Sequence, residues 1–596
     1  MKLKRLLCFL TMFTLLSAQG ISAKAAGETE TAHFNEIGQI ENAMELGSPA
    51  LAQASAEPVS PNPETSEGLP ASFDLRSQNL VSSVKNQGNY AICWAVAAAS
   101  LIETEFITKY PDIDLSEWQL AYYTYSRKFG FPLPETSPDP EDAFAMGGNY
   151  FVLSPMLLNW ISPFNEAEYP FGRTDILNPD LDADTLQKQS SYHVTDCCIL
   201  DYDVNSANFE TQMNDIKTIL TQGHAVAINY YNATSNFSNV KDNQNFYNPS
   251  GNLQGSIYHA VTIVGWDDNY SAENFKSPPP RNGAWLCKNS WGSSWGNDGY
   301  FWLSYAEPTC VQPYYVLAEE KNEHNGQFYY DDFCWWSSVT FADGANTAYM
   351  ANVFTAEKDT ILTSAMFATA MENENYEIQV YQGLRSSSKP TSGTSTAGVT
   401  TGTEKFAGYH TVDLANPVKI QAGETFSIIV KLSGAVGSHL TCESYAVTTT
   451  EYADGTAKVN ENIKEEQLMQ GFAPKQSFYS ADGSRWSDIY YASSILESYP
   501  TVENAMDATV NVTTKLGNVC VRGLTQLSGD TNLDGLINAQ DAADILLYAV
   551  ASGSGELPEQ SIQWQRRADV DNNGIVNAND AAYLLQIAAQ LGTGEQ

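Results

Sequence analysis

The sequence predicts a multidomain chain: an α+β domain, then an all-β sandwich, then a small α module. Three observations carry this reading. Between 68 and 316, helical and strand patterns alternate. Between 320 and 522, strand-like runs are separated by Gly, Ser, Thr and Asn clusters at the spacing of a sandwich. After Gly523, an Asp/Asn-rich pattern occurs twice, and each copy runs into an apolar helical segment. The chain has 596 residues, and at ~100–200 residues per domain it holds three or four units.

The N-terminus reads as a secretory signal over residues 1–25. Lys2, Lys4 and Arg5 precede a short apolar run, and Ala23-Lys24-Ala25 supplies the small-x-small cleavage pattern. The chain is therefore expected to be secreted and extracellular. No later run of about eighteen apolar residues predicts a membrane span. Residues 26–67 are polar, with Pro58, Pro61 and Pro63 close together, and read as a disordered linker or short pro-segment. The net charge of −39 argues against nucleic-acid binding, which needs a basic footprint. Apart from Cys8 in the signal, the eight cysteines are sparse, and no CxxC pair points to zinc or thioredoxin-like chemistry. Their pairing cannot be read from the sequence.

In the first domain, the Ala-rich stretch from Cys93 to Tyr110 has helical spacing, with Pro111 as its stop. Ser116 reads as the cap of a second helix. Residues 225–228 and 260–265 read as short buried strands. The stretch Gln87-Gly88-Asn89-Tyr90-Ala91-Ile92-Cys93-Trp94-Ala95 is the most informative. A thiol becomes a good nucleophile when its thiolate is stabilised. The positive end of a helix does this, and a nearby imidazolium does it more strongly. Gln87 and the Cys93 backbone N–H can donate to a tetrahedral oxyanion.

These residues resemble the active-site helix of the papain family. Phe73-Asp74-Leu75-Arg76 is similar to the start of the mature family domain, and Asp114-Leu115-Ser116-Glu117 to its second helix start. His259-Ala260-Val261 with Val264-Gly265-Trp266 resembles the histidine strand. Lys288-Asn289-Ser290-Trp291-Gly292, with Trp295-Gly296 and Gly299-Tyr300, resembles the asparagine segment. The resemblance implies a fold with a helical half and a β-barrel-like half, and a cysteine-type endopeptidase. By resemblance, Cys93 is the nucleophile, His259 the base and acid, Asn289 the group that orients the imidazole, and Gln87 an oxyanion donor. Trp291 shields the His–Asn bond. Gly147 and Gly148 match the glycine pair that binds extended peptide, and read equally as an ordinary turn. Asn149 and Tyr150 are weaker candidates for subsite walls.

His224-Ala225-Val226 repeats the histidine tripeptide without its downstream context, and is expected to be structural. His193 has no supporting pattern. The family usually has a disulfide where this chain has Tyr90 and Ala145, so that bridge is expected to be missing. An extra segment at 267–282 could form a loop over the cleft. No long inhibitory propeptide is evident.

In the C-terminal module, Asp530, Asn532, Asp534, Leu536 through its carbonyl, Asn538 and Asp541 occupy positions 1, 3, 5, 7, 9 and 12 of a calcium loop. Asp569, Asp571, Asn573, Ile575, Asn577 and Asp580 repeat the set. Gly535 and Gly574 sit at position 6, where the sharp turn needs glycine. Position 12 is Asp, not the bidentate Glu of an ordinary EF-hand. The duplication over 525–596 resembles a dockerin. This implies two calcium ions, docking to a cohesin on a scaffoldin, and a place in a cellulosome-type, cell-surface polysaccharide-degrading complex. The pairs Ala539-Gln540 and Ala578-Asn579 leave the partner's identity open.

The 320–522 region resembles the lectin-like domain behind some bacterial papain-like peptidases. Tyr329, Tyr330, Trp335 and Trp336 could stack on carbohydrate, but read preferentially as packing residues. Residues 386–403 read as a long exposed loop. Two other readings of the whole chain stay open: a non-catalytic or regulatory binding subunit of the same complex, and an exopeptidase or ligase on the same fold.

Overall fold

Fourteen residues that are almost all apolar or small dictate the first helix. The structure, a computed structural model, describes residues 37–42, 68–125, 131, 140–233, 236–237, 244–251, 257–321, 323–341, 346–434, 439–461, 465–492, 494–503, 506–555, 560, 562–571 and 574–592. The signal at 1–25, most of 26–67, and Asn573 lie outside them. Helix α1 (Cys93–Phe106) buries every residue except Glu105. A helix apolar on all sides belongs in the middle of a domain, and its alanines let strands approach closely. It ends five residues before Pro111, because the Lys109 and Tyr110 N–H groups turn back onto Phe106 O at 2.9 and 2.8 Å. Ser116 caps α2 (Glu117–Thr124), accepting from Gln119 N. Asn149 caps α3 (Tyr150–Leu158) in the same way. These three helices form the helical half.

The second half is a sheet. In chain order its strands are β2 (Ser72–Asp74), β3 (Tyr192–Ile199), β4 (Val226–Asn232), β5 (Asn245–Phe246), β6 (Ile257–Asp267), β7 (Ala284–Lys288), β8 (Tyr300–Ser304) and β9 (Val311–Glu320). Helix α4 (Phe209–Thr221) packs against β4 and β6. The segment expected to be irregular before this domain contributes β1 (Ile37–Asn42), which pairs antiparallel with β10 (Ser337–Phe341) of the next domain. The 267–282 segment does not cover the cleft. It leaves the far end of β6 and packs toward α4 through the ion pairs Arg281–Glu210 and Lys217–Asp268. Asp267 is eight residues beyond His259, or roughly 26 Å along a strand.

The second domain is mostly β, with one short helix at Glu465–Gly471. The principal strands used below are β11 (Thr360–Thr369), β12 (Thr394–Glu404), β13 (Ala407–Ile420) and β14 (Val521–Gln526). The predicted loop at 386–403 is a strand from Thr394 onward, paired with residues Glu374–Gln382. Its Thr and Val residues suit a pleated, half-exposed surface, and Gly402 leaves room for the Tyr376 ring. The two domains share one twelve-stranded sheet, in which β14, β11 and β13 continue into β3 and β9. Trp335 and Trp336 are buried at the boundary, Trp336 6.0 Å from the Phe151 ring. Both are packing residues, as expected.

The third domain is small. Helices α5 (Ala539–Ser554), α6 (Ile562–Ala568) and α7 (Ala578–Gly592) enclose a core of Ala542, Ile545, Trp564, Ala581 and Leu584. It touches the second domain through Arg567 Nη1 to Gln526 Oε1 at 3.0 Å and through Lys419 to the Asp569 carbonyl. Among the described residues, no helix is long and apolar enough to cross a membrane.

Candidate active site and calcium loops

Cys93 is the first residue of α1, and Ile92 before it offers no side-chain cap. The Ala95 N–H turns back onto Ile92 O at 3.0 Å, which leaves the Cys93 and Trp94 N–H groups to serve the sulfur. The Ala260 N–H points at Cys93 Sγ from β6 at 3.5 Å, and the N–H groups of Trp94 and Cys93 also favour the thiolate. His259 precedes Ala260 on β6. Its Nε2 lies 2.8 Å from Asn289 Oδ1. Asn289 comes directly after β7, and its Oδ1 also accepts from Ser290 N at 2.8 Å. An amide oxygen accepts only, so Nε2 carries the hydrogen and Nδ1 keeps its lone pair. The Trp291 ring stacks on His259 at 4.9 Å and 24°, and Trp295 closes on Trp291 edge-on at 4.8 Å.

Gln87 is tied into the same corner. Its N–H donates to Ser290 O at 2.8 Å, its Oε1 accepts from Ser290 Oγ at 2.5 Å, and its Nε2 donates to Tyr90 O at 2.6 Å. One Nε2 hydrogen remains. Gly148 backs onto Trp94, the residue after Cys93: a Cβ there would stand 2.5 Å from the indole. Gly147 has φ +72° and gives its carbonyl to Tyr125 Oη at 2.6 Å. Asn149 and Tyr150 are buried as helix cap and core, not on a cleft wall.

Cys93 is 8% and His259 4% exposed. Burial pushes the Cys93 thiol up and lowers His259 to about 4, against the Asn289 hydrogen bond that favours its charged form. Each charge alone is opposed by burial. Moving the proton from sulfur to imidazole makes two opposite charges side by side, and burial opposes that pair far less.

His224 stands elsewhere. It pairs with Glu105 at 2.8 Å, near the C-terminal end of α1. Twelve residues of helix separate Glu105 from Cys93, about 18 Å. His193 is buried against the Trp160 ring at 3.8 Å. Tyr90 meets Trp118 and Phe144 edge-on, and the Ala91 N–H donates to Phe144 O at 2.8 Å. These contacts tie the segments holding Tyr90 and Ala145. All eight described cysteines are free thiols.

A buried network behind the site joins residues of separate motifs, and their pairing is not visible in the motifs. Lys288 Nζ donates to Ser82 Oγ at 2.8 Å and Ser100 Oγ at 3.1 Å, and burial lowers its pKa to about 8. Ser82 donates to Glu103, which pairs with Lys85 at 3.7 Å, and Lys85 with Glu117 at 3.2 Å. The network fixes the strand end that carries Asn289 to the side of α1. The only signal in the sequence is a lysine in an otherwise apolar strand.

The two candidate calcium loops are closed by their own hydrogen bonds. In the first, Asp530 and Asp541 are buried. Asp530 accepts from Asp534 N and Gly535 N at 3.1 and 2.9 Å. Asp541 accepts from Thr531 N and Asn538 N at 2.8 and 3.0 Å and completes a capping box on α5. Asn532 and Asn538 both reach Asp534 Oδ2, at 3.2 and 3.5 Å. In the second, Gly574 N and Asn577 N donate to Asp569 and Asp580 at 3.0 and 2.9 Å. One ligand oxygen each from Asp569, Asp571 and Asp580 lies within 4.8 Å of the others. Such converging oxygens fit a hard cation. Leu536 and Ile575 turn their side chains outward, 63% and 66% exposed.

Comparison with known proteins agrees with this order. The family model for papain family cysteine protease matches residues 69–125 and 162–317. Those for a lectin like domain and a dockerin type I domain match 328–499 and 528–586. A cysteine protease of Blomia tropicalis is 28% identical over 256 residues, 42% of this chain and 64% of that protein. A viral cathepsin of Adoxophyes honmai nucleopolyhedrovirus is 30% identical over 242 residues, 40% of this chain and 58% of that one. The chain thus spans less than two thirds of the length of either. A structure of the cysteine protease and lectin-like domains of Cwp84, a surface layer associated protein of Clostridium difficile, superposes with a TM-score of 0.54 at 21% identity. It covers 77% of this chain and 89% of that chain. A second structure, clostridial cysteine protease Cwp84 after propeptide cleavage, gives 0.55 at 21%, over 76% and 99%. At that identity the likeness is one of fold. In order, the chain carries a papain-family cysteine protease domain, a lectin-like domain and a dockerin type I domain.

Proposed function

We propose that the protein is a secreted cysteine endopeptidase held by its dockerin on a cohesin-bearing scaffold. One observation carries the catalytic half: the Cys93 sulfur abuts the His259 strand, while His259 Nε2 is committed to Asn289. His259 Nδ1 is then the base. It takes the thiol proton as Sγ attacks the scissile carbonyl carbon. The resulting oxyanion accepts from the Cys93 N–H and the spare Gln87 Nε2 hydrogen. The C–N bond breaks as His259 returns the proton to the leaving amine. Water, deprotonated by His259, then cleaves the thioester and restores the thiol. Trp291 keeps solvent from the His–Asn bond. Gly147 and Gly148 offer backbone to an extended substrate, and Gly148 can take this place because it has no Cβ to meet the Trp94 indole behind it.

The dockerin half rests on the two loops. Calcium would be held by Asp530, Asn532, Asp534, Asn538, Asp541 and the Leu536 carbonyl. The second set is Asp569, Asp571, Asn577, Asp580 and the Ile575 carbonyl, with Asn573 completing it. Bound there, calcium would neutralise the crowded carboxylates, which the chain already ties to the helix starts. The exposed residues Leu547, Val550 and Tyr583 give α5 and α7 an apolar face for a partner. Extracellular, cell-surface location follows from this anchoring and from the signal. The proposed work is trimming of proteins around a polysaccharide-degrading complex.

The test is digestion of an unfolded protein by the calcium-loaded chain, with products read by mass spectrometry. Internal cleavages that vanish in Cys93→Ala support the endopeptidase. Stepwise loss of terminal residues points to the exopeptidase, and no cleavage to the binding subunit.

A further inference from the structure

At the seam between the peptidase and lectin-like domains, three metal-ligating side chains converge, and a fourth, Glu404, stands beside one of them. Asp196 and Cys198 lie two apart on β3, so they share one face. β13 crosses here, pairing Gly408 with Cys198 and Tyr409 with Cys197. His410 is the next residue on β13, and Glu404 ends β12 just before the turn. One ligand atom each from Asp196, Cys198 and His410 lies within 4.8 Å of the others. Cys198 Sγ is 3.6 Å and Glu404 Oε2 3.3 Å from His410 Nδ1.

The imidazole is set for ligation. Its Nε2 lies 2.9 Å from Phe406 O and 3.1 Å from Thr369 Oγ1. A carbonyl only accepts, so Nε2 carries the hydrogen and Nδ1 turns a bare lone pair toward the thiol and the carboxylate. Metal-bound histidines are usually held this way, the other ring N–H donating to a backbone carbonyl. In their ionised forms, two carboxylates and a thiolate beside this lone pair need a positive charge between them. The thiol hydrogen alone does not satisfy them, because Tyr409 O competes for it at 3.5 Å, while the Tyr315 hydroxyl donates to the sulfur. The charged groups acting on Asp196 and Cys198 include Glu404 but no lysine or arginine. Gly408 permits the approach. At φ +119°, a Cβ there would stand 2.4 Å from Cys197 O and 2.8 Å from Cys198 Cα.

We propose that Asp196, Cys198, Glu404 and His410 form a structural zinc site that clamps the peptidase domain to the lectin-like domain. One sulfur, one nitrogen and two oxygens are a four-coordinate zinc set. The Cys198 thiol gives its proton to water as Sγ binds. The ion ties β3 to the β12–β13 turn, where the backbone pairing between the domains is only three residues long.

The test uses the full chain carrying Cys93→Ala, which removes the catalytic thiol as a competing ligand. Saturating calcium fills the dockerin loops. The protein is stripped of transition metals and titrated with cobalt(II). The site predicts one equivalent bound, with thiolate-to-cobalt charge-transfer absorption that zinc abolishes. Adding Cys198→Ser, with far-ultraviolet circular dichroism unchanged, removes the absorption and weakens binding by at least ~100-fold. Absence of thiolate absorption in the folded Cys93→Ala protein overturns the proposal without recourse to any further variant. So does absorption that persists in both Cys198→Ser and His410→Ala.

Discussion

The peptidase site draws Gln87, Cys93, His259 and Asn289 from segments up to two hundred residues apart, whereas each calcium loop takes its donors from twelve consecutive residues. The first needs the whole domain: α1, β6, β7 and the Lys288 network must all be in place before Ala260 reaches Cys93 Sγ. The second needs only a turn and the start of a helix, with Asp541 completing the capping box of Asn538 on α5 as it closes the loop. In the proposed function, one site works through a buried thiol and imidazole, and the other through carboxylates crowded at the start of a helix. Two sites built this way are expected to fail separately.

The largest effect tests that separation. Cys93→Ala is expected to lower kcat by about 10^4- to 10^6-fold and to leave calcium stoichiometry, read by calorimetry, unchanged. Gln87→Ala removes an oxyanion donor and its tie to Ser290, and is expected to cost about 10^2- to 10^3-fold in kcat. The pH profile sharpens the catalytic side. Burial lowers His259 to about 4, so the imidazole stays available as a base down to that pH. The acid limb of kcat/KM should therefore fall near pH 4, about tenfold per unit below it. A limb at the ordinary histidine value near 6.5 would show that His259 is not buried in the working enzyme.

Asp541→Ala breaks the other side of the comparison. It is expected to weaken the first calcium site by at least ~10-fold, and to cost about 1 kcal/mol of α5 stability through the lost half of the capping box, since Asn538 keeps its own cap bond. Calcium titration and thermal melting read both, while kcat/KM should stay within about twofold. The smallest effect is His224→Ala, about twofold or less in kcat/KM, since its partner Glu105 lies at the opposite end of α1 from Cys93.

The same contrast explains what can be read from the sequence. The candidate calcium loops can be proposed from the sequence residue by residue, because donors at fixed spacing need no tertiary information. Cys93, His259 and Asn289 are legible because each stands in a contiguous motif. His259 and His224 share a tripeptide, and only the downstream residues Val264-Gly265-Trp266 set His259 apart. The Lys288–Ser82–Glu103 network is not legible, since its members have no common pattern. Nor is the seam, where Cys198 meets Gly408 across more than two hundred residues. The strand at Thr394–Glu404 reads as a loop because its Gly, Ser and Thr content is that of a turn. Pairing with Glu374–Gln382 and the Tyr376 ring over Gly402 decide otherwise.

The central claim is that Cys93 is a nucleophile activated by His259. The direct measurement is labelling of the calcium-loaded protein with an epoxide-type cysteine-peptidase inhibitor, mapped by mass spectrometry, with His259→Ala and His224→Ala alongside. The account predicts a single adduct on Cys93, lost in His259→Ala and kept in His224→Ala. An adduct on another cysteine, or one that survives His259→Ala, would contradict it.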